Sequence, residues 1–316
     1  MKKELIRQIP FIHEIPPELE VLFLQPYYDP KDNVFKMYTQ RDDKLSFIYA
    51  NPVEACYWSK IIIDDKSDMY VSLIDILARR YAYEKIMNIL LGLKKDVINM
   101  SVFMEKYFLL HKHYLNNKDV MISSIFKTDL ECFFGNTRSM FDLVNKILMV
   151  LYKKQNRKNL PDSFRKLVTK EKEELVKKYS LPDPMIIFLT KWKNFFMNVR
   201  AIRDVIYHGG VSIESVFCFN DGFAFSLNDD ALPIPLFKRL NNWDVNKMKK
   251  NQMVSFLALI SYVTQQMLFF LDEFSNALLR TIEPHDSITS DTRIFIRGPY
   301  MNHLVNLDFY SRNHWI

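Results

Sequence analysis

The chain has 316 residues, 48% of them apolar, enough to bury a core without disulfides or metals to staple it. Only 6 Gly stand against 25 Phe, 16 Tyr and 15 Met, which excludes collagen-like repeats and disorder, and neither G-x-x-x-x-G-K-[ST] nor G-x-G-x-x-G occurs to cradle a nucleotide. Lys plus Arg number 43 and Asp plus Glu 37, a formal net charge of +6 that suits a polyanionic partner without demanding one.

Cys56, Cys132 and Cys218 are odd in number, far apart and outside any C-x-x-C spacing. That pattern argues against a disulfide framework or structural zinc and fits a reducing cytoplasm. Met1–Arg7 lacks the apolar core of a secretory signal, and Pro10, Pro16 and Pro17 follow closely. Met253–Leu271, preceded by Lys247, Lys249 and Lys250, is the one stretch resembling a membrane span. Ser255, Ser261, Thr264, Gln265 and Gln266 interrupt it, and glutamines are costly in lipid, so it is read as a buried helix with no membrane partner.

In chain order, residues 1–66 hold Pro10, Pro16, Pro17, Pro26, Pro30 and Pro52 and short apolar runs such as Leu45–Tyr49 and Ile61–Ile63, which predicts an irregular or short-stranded N-terminal extension. From about Ser67 apolar residues recur at helical spacing through Val71, Ile74, Ala78 and Tyr81 until Gly92 breaks the pattern. Further helices are expected over Val97–Tyr114 and over about Ser123–Lys153. The second carries a continuous apolar face of Leu130, Phe133, Phe134, Phe141, Val144, Ile147, Leu148 and Leu151. Residues 153–182 are charged and predict a solvated connection with a short helix.

Asp183-Pro184 reads as a helix start and Gly209-Gly210 as a stop, enclosing about 25 residues, or about 37 Å of helix. Val216–Phe219 and Phe223–Leu227 flank Asn220-Asp221-Gly222 as a β-hairpin, because that turn tolerates positive φ. A last long helix is expected over about Asp244–Leu279, and residues 280–316 as an extended C-terminal strap. Residues 67–279 thus predict a mainly α fold, a bundle of long antiparallel helices with one small hairpin insertion near 216–227.

The chemistry concentrates on the 184–208 helix. With Trp192 at zero on a helical wheel, Met185, Phe188, Leu189, Phe196, Val199 and Ile206 lie within about 60° of it, and Arg203 falls at about 20°, inside that apolar stripe. A guanidinium there needs a partner or a use. The structural use is a buried ion pair with Asp129, Glu131 or Asp142. The functional one involves His208, at the helix end where free carbonyls favour imidazolium. Asp204 stands four residues before His208 and can orient its ring, Arg200 four before Asp204 can pair with it, and Tyr207 four after Arg203 can shield the guanidinium. His111-Lys112-His113 places two histidines on different helix faces with no acidic cluster nearby, so no metal site is expected. Lysine-rich patches at 152–158, 166–178 and 247–250, with Tyr152 and Tyr179 close by, read either as solvated surface, the commoner case, or as a track for an RNA backbone.

Arg203-Asp204-Val205-Ile206-Tyr207-His208 resembles the R-x(4–6)-H motif of HEPN ribonucleases, in which a polar residue follows the arginine. Arg7 to His13, Arg280 to His285 and Arg297 to His303 have a matching spacing, but each encloses a proline that breaks a helix. Phe126–Phe134, leading into Arg138–Asp142, also resembles the long helix that precedes the motif in that superfamily. The resemblance covers about residues 70–275 and departs from the family in carrying Asp rather than Asn after the arginine.

What the resemblance implies is a HEPN-like helical bundle, a homodimer with facing motif helices, and a metal-independent endoribonuclease without cofactor. Arg203, His208 and Asp204 would be catalytic, with Arg200 and Tyr207 supporting. A cytoplasmic toxin or phage-defence role, with a neutralising antitoxin as partner, is part of the same implication. The alternative is a catalytically inactive HEPN-like module that binds RNA, a nucleotide or a partner protein.

Overall fold

The structure, a computed structural model, describes residues 3–15, 25–156, 159–208, 216–230, 233–240, 243–284, 288–313 and 315. Along the chain it sets α1 (Lys3–Ile6), β1 (Ile12–Glu14), β2 (Tyr27–Asp29), β3 (Val34–Arg41), β4 (Lys44–Ala50), β5 (Ala55–Ser59) and β6 (Asp68–Tyr70). Then follow α2 (Ser72–Arg80), α3 (Glu84–Asn117), α4 (Ile122–Asn156), α5 (Phe164–Val168), α6 (Lys172–Lys177) and α7 (Asp183–His208). The remainder comprises β7 (Phe217–Phe219), β8 (Gly222–Ser226), α8 (Ile234–Leu240), β9 (Met253–Ser255), α9 (Phe256–Thr281), β10 (Thr289–Ser290), β11 (Arg293–Arg297), α10 (Asn302–Val305) and α11 (Leu307–Asn313).

The mainly α bundle with a single hairpin is therefore not what forms. Long helices share the chain with a six-stranded mixed sheet of order β4-β3-β2-β5-β11-β6, a three-stranded sheet β7-β8-β9 and the pair β1-β10. Two compact units divide the residues: Met1–Ile98 with Leu143–Phe188 and Leu271–Asn302, and Asn99–Asp142 with Leu189–Phe270 and His303–Ile316.

The first unit contains the six-stranded sheet: β2 to β5 come from the extension expected to be irregular or short-stranded, β6 from the start of the expected helical bundle and β11 from the expected strap. β5 is buried at all five positions, so it shows no alternation of apolar and polar residues. Its neighbours are β2, paired in parallel at Tyr27 and Trp58, and β11, antiparallel from Arg293↔Ser59 to Arg297↔Ala55. Pro26, Pro30 and Pro52 punctuate this sheet without entering its strands, and the Pro26 carbonyl accepts the Trp58 N–H at 2.8 Å. β3 and β4 form a hairpin closed by Asp42 and Asp43, both at positive φ (48° and 58°), the conformation that matches strand twist in a two-residue turn.

Arg297 closes β11 with its Nε and Nη2 each donating to the buried Asp68 carboxylate at 2.8 Å. Its flat face lies 4.6 Å from the Phe35 ring. Asp75 on α2 accepts the Ile294 N–H at 2.9 Å and ties that helix to β11. Burial raises the Asp75 carboxyl above its usual range.

The expected helix break at Gly92 is absent. α3 runs through it from Glu84 to Asn117, and a Cβ there would meet Leu143 only at ordinary contact distance.

In the second unit the hairpin stands where expected, β7 and β8 joined at Gly222, whose φ of +139° only glycine adopts readily. β9 extends it to three strands, so the last long helix starts at Phe256. The residues before it form short 3-10 turns, with Asn251 at φ +61°. Phe223 stacks on Phe126 at 4.7 Å, Phe225 packs against Phe256 at 4.6 Å, and the buried Tyr107 hydroxyl accepts the Phe223 N–H at 3.1 Å. These rings join the small sheet to α3, α4 and α9. α10 and α11 occupy the place of the expected strap, with the His303 ring 2.8 Å from the Glu105 carboxylate. Among the described residues no helix is long and apolar enough to cross a membrane.

Candidate active site

α7 follows its sequence cues over 26 residues. The Pro182 carbonyl accepts the Met185 N–H at 3.0 Å at its start. Its apolar stripe is buried, including Met185, Phe188, Leu189, Trp192, Phe196, Val199 and Ile206. Phe196 packs edge-on against Phe141 of α4 at 5.1 Å, and Trp192 against Phe270 of α9 at 5.5 Å.

Arg203 departs from the stripe. Its side chain is 32% exposed, while Val199 and Ile202 beside it are sealed. Of the acidic groups expected to neutralise it, Asp129 is paired with Lys106 and Asp142 lies 2.5 Å from Arg138. Glu131 contributes its backbone carbonyl, 3.4 Å from the Tyr207 hydroxyl that donates to it. Arg203 itself pairs with its neighbour Asp204 at a partly exposed position.

That arrangement is local to α7. Arg203 Nη1 lies 3.3 Å from Asp204 Oδ1, and Arg200 Nη2 lies 2.8 Å from Asp204 Oδ2, so one carboxylate bridges two guanidinium groups. Side chains one residue apart rarely face each other on a helix, and the Arg203–Asp204 pair exists because the long arginine folds back. Side-chain exposure between 25% and 32% keeps either pair weak, about 0–1 kcal/mol. The other face of the Arg203 guanidinium lies 4.9 Å from the Tyr207 ring centroid. Partial burial raises the Tyr207 phenol above its usual range, so it stays a neutral donor at pH 7.

Gly135 of α4 permits this placement. A Cβ at that position would stand 2.7 Å from the Tyr207 hydroxyl oxygen. Nothing in the sequence flagged Gly135, because a single glycine inside a helical pattern reads as tolerated rather than required.

The structure therefore brings together Arg200, Arg203, Asp204 and Tyr207. His208 is the last residue of α7, four positions after Asp204. Its side chain, and the expected stop at Gly209-Gly210, lie outside the described residues. Among the described residues no three His, Cys, Asp or Glu side chains gather to hold a metal ion. His111 is buried with Nε2 3.0 Å from the Phe219 carbonyl, and His113 faces Asn117, so the two histidines serve separate local contacts.

Comparison of the chain with protein-family models finds no match. Neither the curated proteins nor the solved structures yield one.

Proposed function

We propose that the C-terminal turns of α7 cleave RNA without a metal, with Arg203 gripping the scissile phosphate and His208 moving the proton. The observation that carries this is the place of Arg203: a partly exposed guanidinium on the last turns of α7, flanked by Asp204 and Tyr207 and five residues before His208. A guanidinium presents a planar fork that matches two phosphoryl oxygens, and it remains charged at any pH of interest. The string from Arg203 to His208 adds the resemblance to HEPN ribonucleases, which now rests on the motif helix and not on the fold.

In the step, the ribose 2′-oxygen attacks phosphorus as its proton leaves, and the bond from phosphorus to the 5′-oxygen breaks. His208 either takes that first proton or supplies one to the departing 5′-oxygen, and Arg203 balances the charge that builds on the phosphoryl oxygens. The products are a 2′,3′-cyclic phosphate and a 5′-hydroxyl. Arg203 and His208 are about 140° apart on an ideal helix, so a two-fold partner chain facing α7 would supply the complementary group.

The test is cleavage of a labelled single-stranded RNA by the full chain in excess chelator. Activity should persist with chelator, vanish in His208→Ala and Arg203→Ala, and stop at any position where deoxyribose replaces ribose. Cleavage that survives His208→Ala sinks the proposal. RNA binding with no cleavage by the unaltered chain would make it a silent binding module.

A further inference from the structure

Two cavities in the first unit are lined by lysines, and the lysines differ in what they face. The larger, about 550 Å³, includes Asp162, Lys166, Lys170 and Glu174. There Lys166 is 2.9 Å from Asp162 and Lys170 2.9 Å from Glu174, so the positive charge is already answered.

The second, about 430 Å³, lies between the start of α3 and the end of α4 and is lined by Tyr83, Glu84, Lys85, Val150, Lys153 and Lys154. Lys85 and Lys153 are exposed, and neither is ion-paired among the described residues. Lys154 Nζ stands 3.7 Å above the buried Tyr83 ring. Lys85 and Lys153 thus share one cleft with a single carboxylate, that of Glu84.

We infer that this cleft holds the phosphodiester backbone of single-stranded RNA. Clustered ammonium groups repel one another, and a polyanion relieves that repulsion while releasing the counterions that otherwise screen it. The backbone is the part engaged, because Lys154 occupies the face of Tyr83 on which a base would stack. An ammonium is a point charge without the planar fork of arginine, so recognition here is indifferent to base sequence. RNA as the occupant follows from the cleaving function proposed above, and the cleft deepens that function by giving the substrate a hold made of residues that perform no chemistry.

Binding is measured by fluorescence anisotropy of a labelled single-stranded RNA on the full Arg203→Ala chain, from about 50 to about 200 mM NaCl. Removing two phosphate contacts in Lys85→Ala/Lys153→Ala should weaken binding about tenfold at low salt. It should also flatten the slope of log affinity against log salt by about 1.4, since each contact on a single strand contributes about 0.7. Lys153→Glu should weaken binding further, and Glu84→Gln should tighten it about twofold. Both changes leave the melting temperature alone, since these side chains are exposed.

An unchanged affinity and slope in the lysine variant overturns the inference. So does displacement of the RNA by a free nucleoside triphosphate at micromolar concentration, which would mark a small-molecule site. Chelator-resistant cleavage by the unaltered chain with no lysine effect on binding sinks this inference and spares the nuclease. Loss of salt-dependent binding in the lysine variant of a chain that never cleaves does the reverse.

Discussion

Replacing Gly135 by alanine separates the positioning of Arg203 from the stability of the fold. The new Cβ stands 2.7 Å from the Tyr207 hydroxyl oxygen and 3.4 Å from its Cζ, so the phenol must retreat by roughly 0.7 Å to regain ordinary contact. Tyr207 is 49% exposed, so the ring can swing outward instead of straining the helix pair. The swing forfeits a long hydrogen bond to the Glu131 carbonyl, worth at most about 0.5 kcal/mol, and the contact with the Arg203 guanidinium, about 0.5–1 kcal/mol. Alanine inside a helix returns about 0.5–1 kcal/mol over glycine. The net change is close to zero, so the melting temperature should move by no more than about 3 °C.

Activity should respond differently. With Tyr207 displaced, Arg203 loses the ring that flanks it, and a positioning loss of about 1.4 kcal/mol corresponds to a tenfold fall in kcat/KM, carried by kcat. Tyr207→Phe keeps the ring and loses only the long hydrogen bond, so it should stay within about twofold. Thermal melting and RNA cleavage on the same preparations decide the matter. A fall of more than about 6 °C in melting temperature would show that the ring cannot move. Unchanged cleavage by Gly135→Ala would show that Arg203 needs no support from Tyr207.

Gly222→Ala should be costly where Gly135→Ala is not. Residue 222 sits at φ +139°, and a Cβ would meet the buried Tyr107 hydroxyl oxygen at 2.7 Å, so backbone strain and overpacking together cost about 2–4 kcal/mol. An unchanged midpoint in denaturant unfolding would refute this. Asp75 predicts a pH effect with a definite sign. Its folded-state pKa is raised, so its contribution is full below the unfolded value of 3.8 and is lost as pH rises through the folded value. Asp75→Asn removes that loss. The melting temperature of the variant relative to the unaltered chain should therefore be more favourable at pH 7 than at pH 4, and a variant that compares less well at pH 7 than at pH 4 contradicts the burial argument.

Much of the helical part was legible in the sequence, because a helix is a local object. The apolar stripe from Met185 to Ile206, the Asp183-Pro184 start and the face from Leu130 to Leu151 each repeat within a few residues, and they emerge as α7 and α4. The hairpin was legible too, since Asn220-Asp221-Gly222 names its own turn. The six-stranded sheet was not. β5 is buried on both faces, and its partner β11 lies more than 200 residues downstream, so neither alternation nor proximity marks them as paired. The Asp42-Asp43 turn lacks the glycine that signals a two-residue hairpin, and Pro26, Pro30 and Pro52 fall between strands.

At the candidate site, the spacing of Arg200, Arg203, Asp204, Tyr207 and His208 along one helix is a property of the sequence alone. Whether Arg203 is sealed or open depends on which carboxylates α3 and α4 have already engaged, with Asp129 taken by Lys106 and Asp142 by Arg138. It depends also on the space that Gly135 leaves for Tyr207. Those are contacts between residues far apart in the chain, each a competition among several possible partners. No local pattern records its winner, because side chains choose partners only after the backbone has brought them within reach.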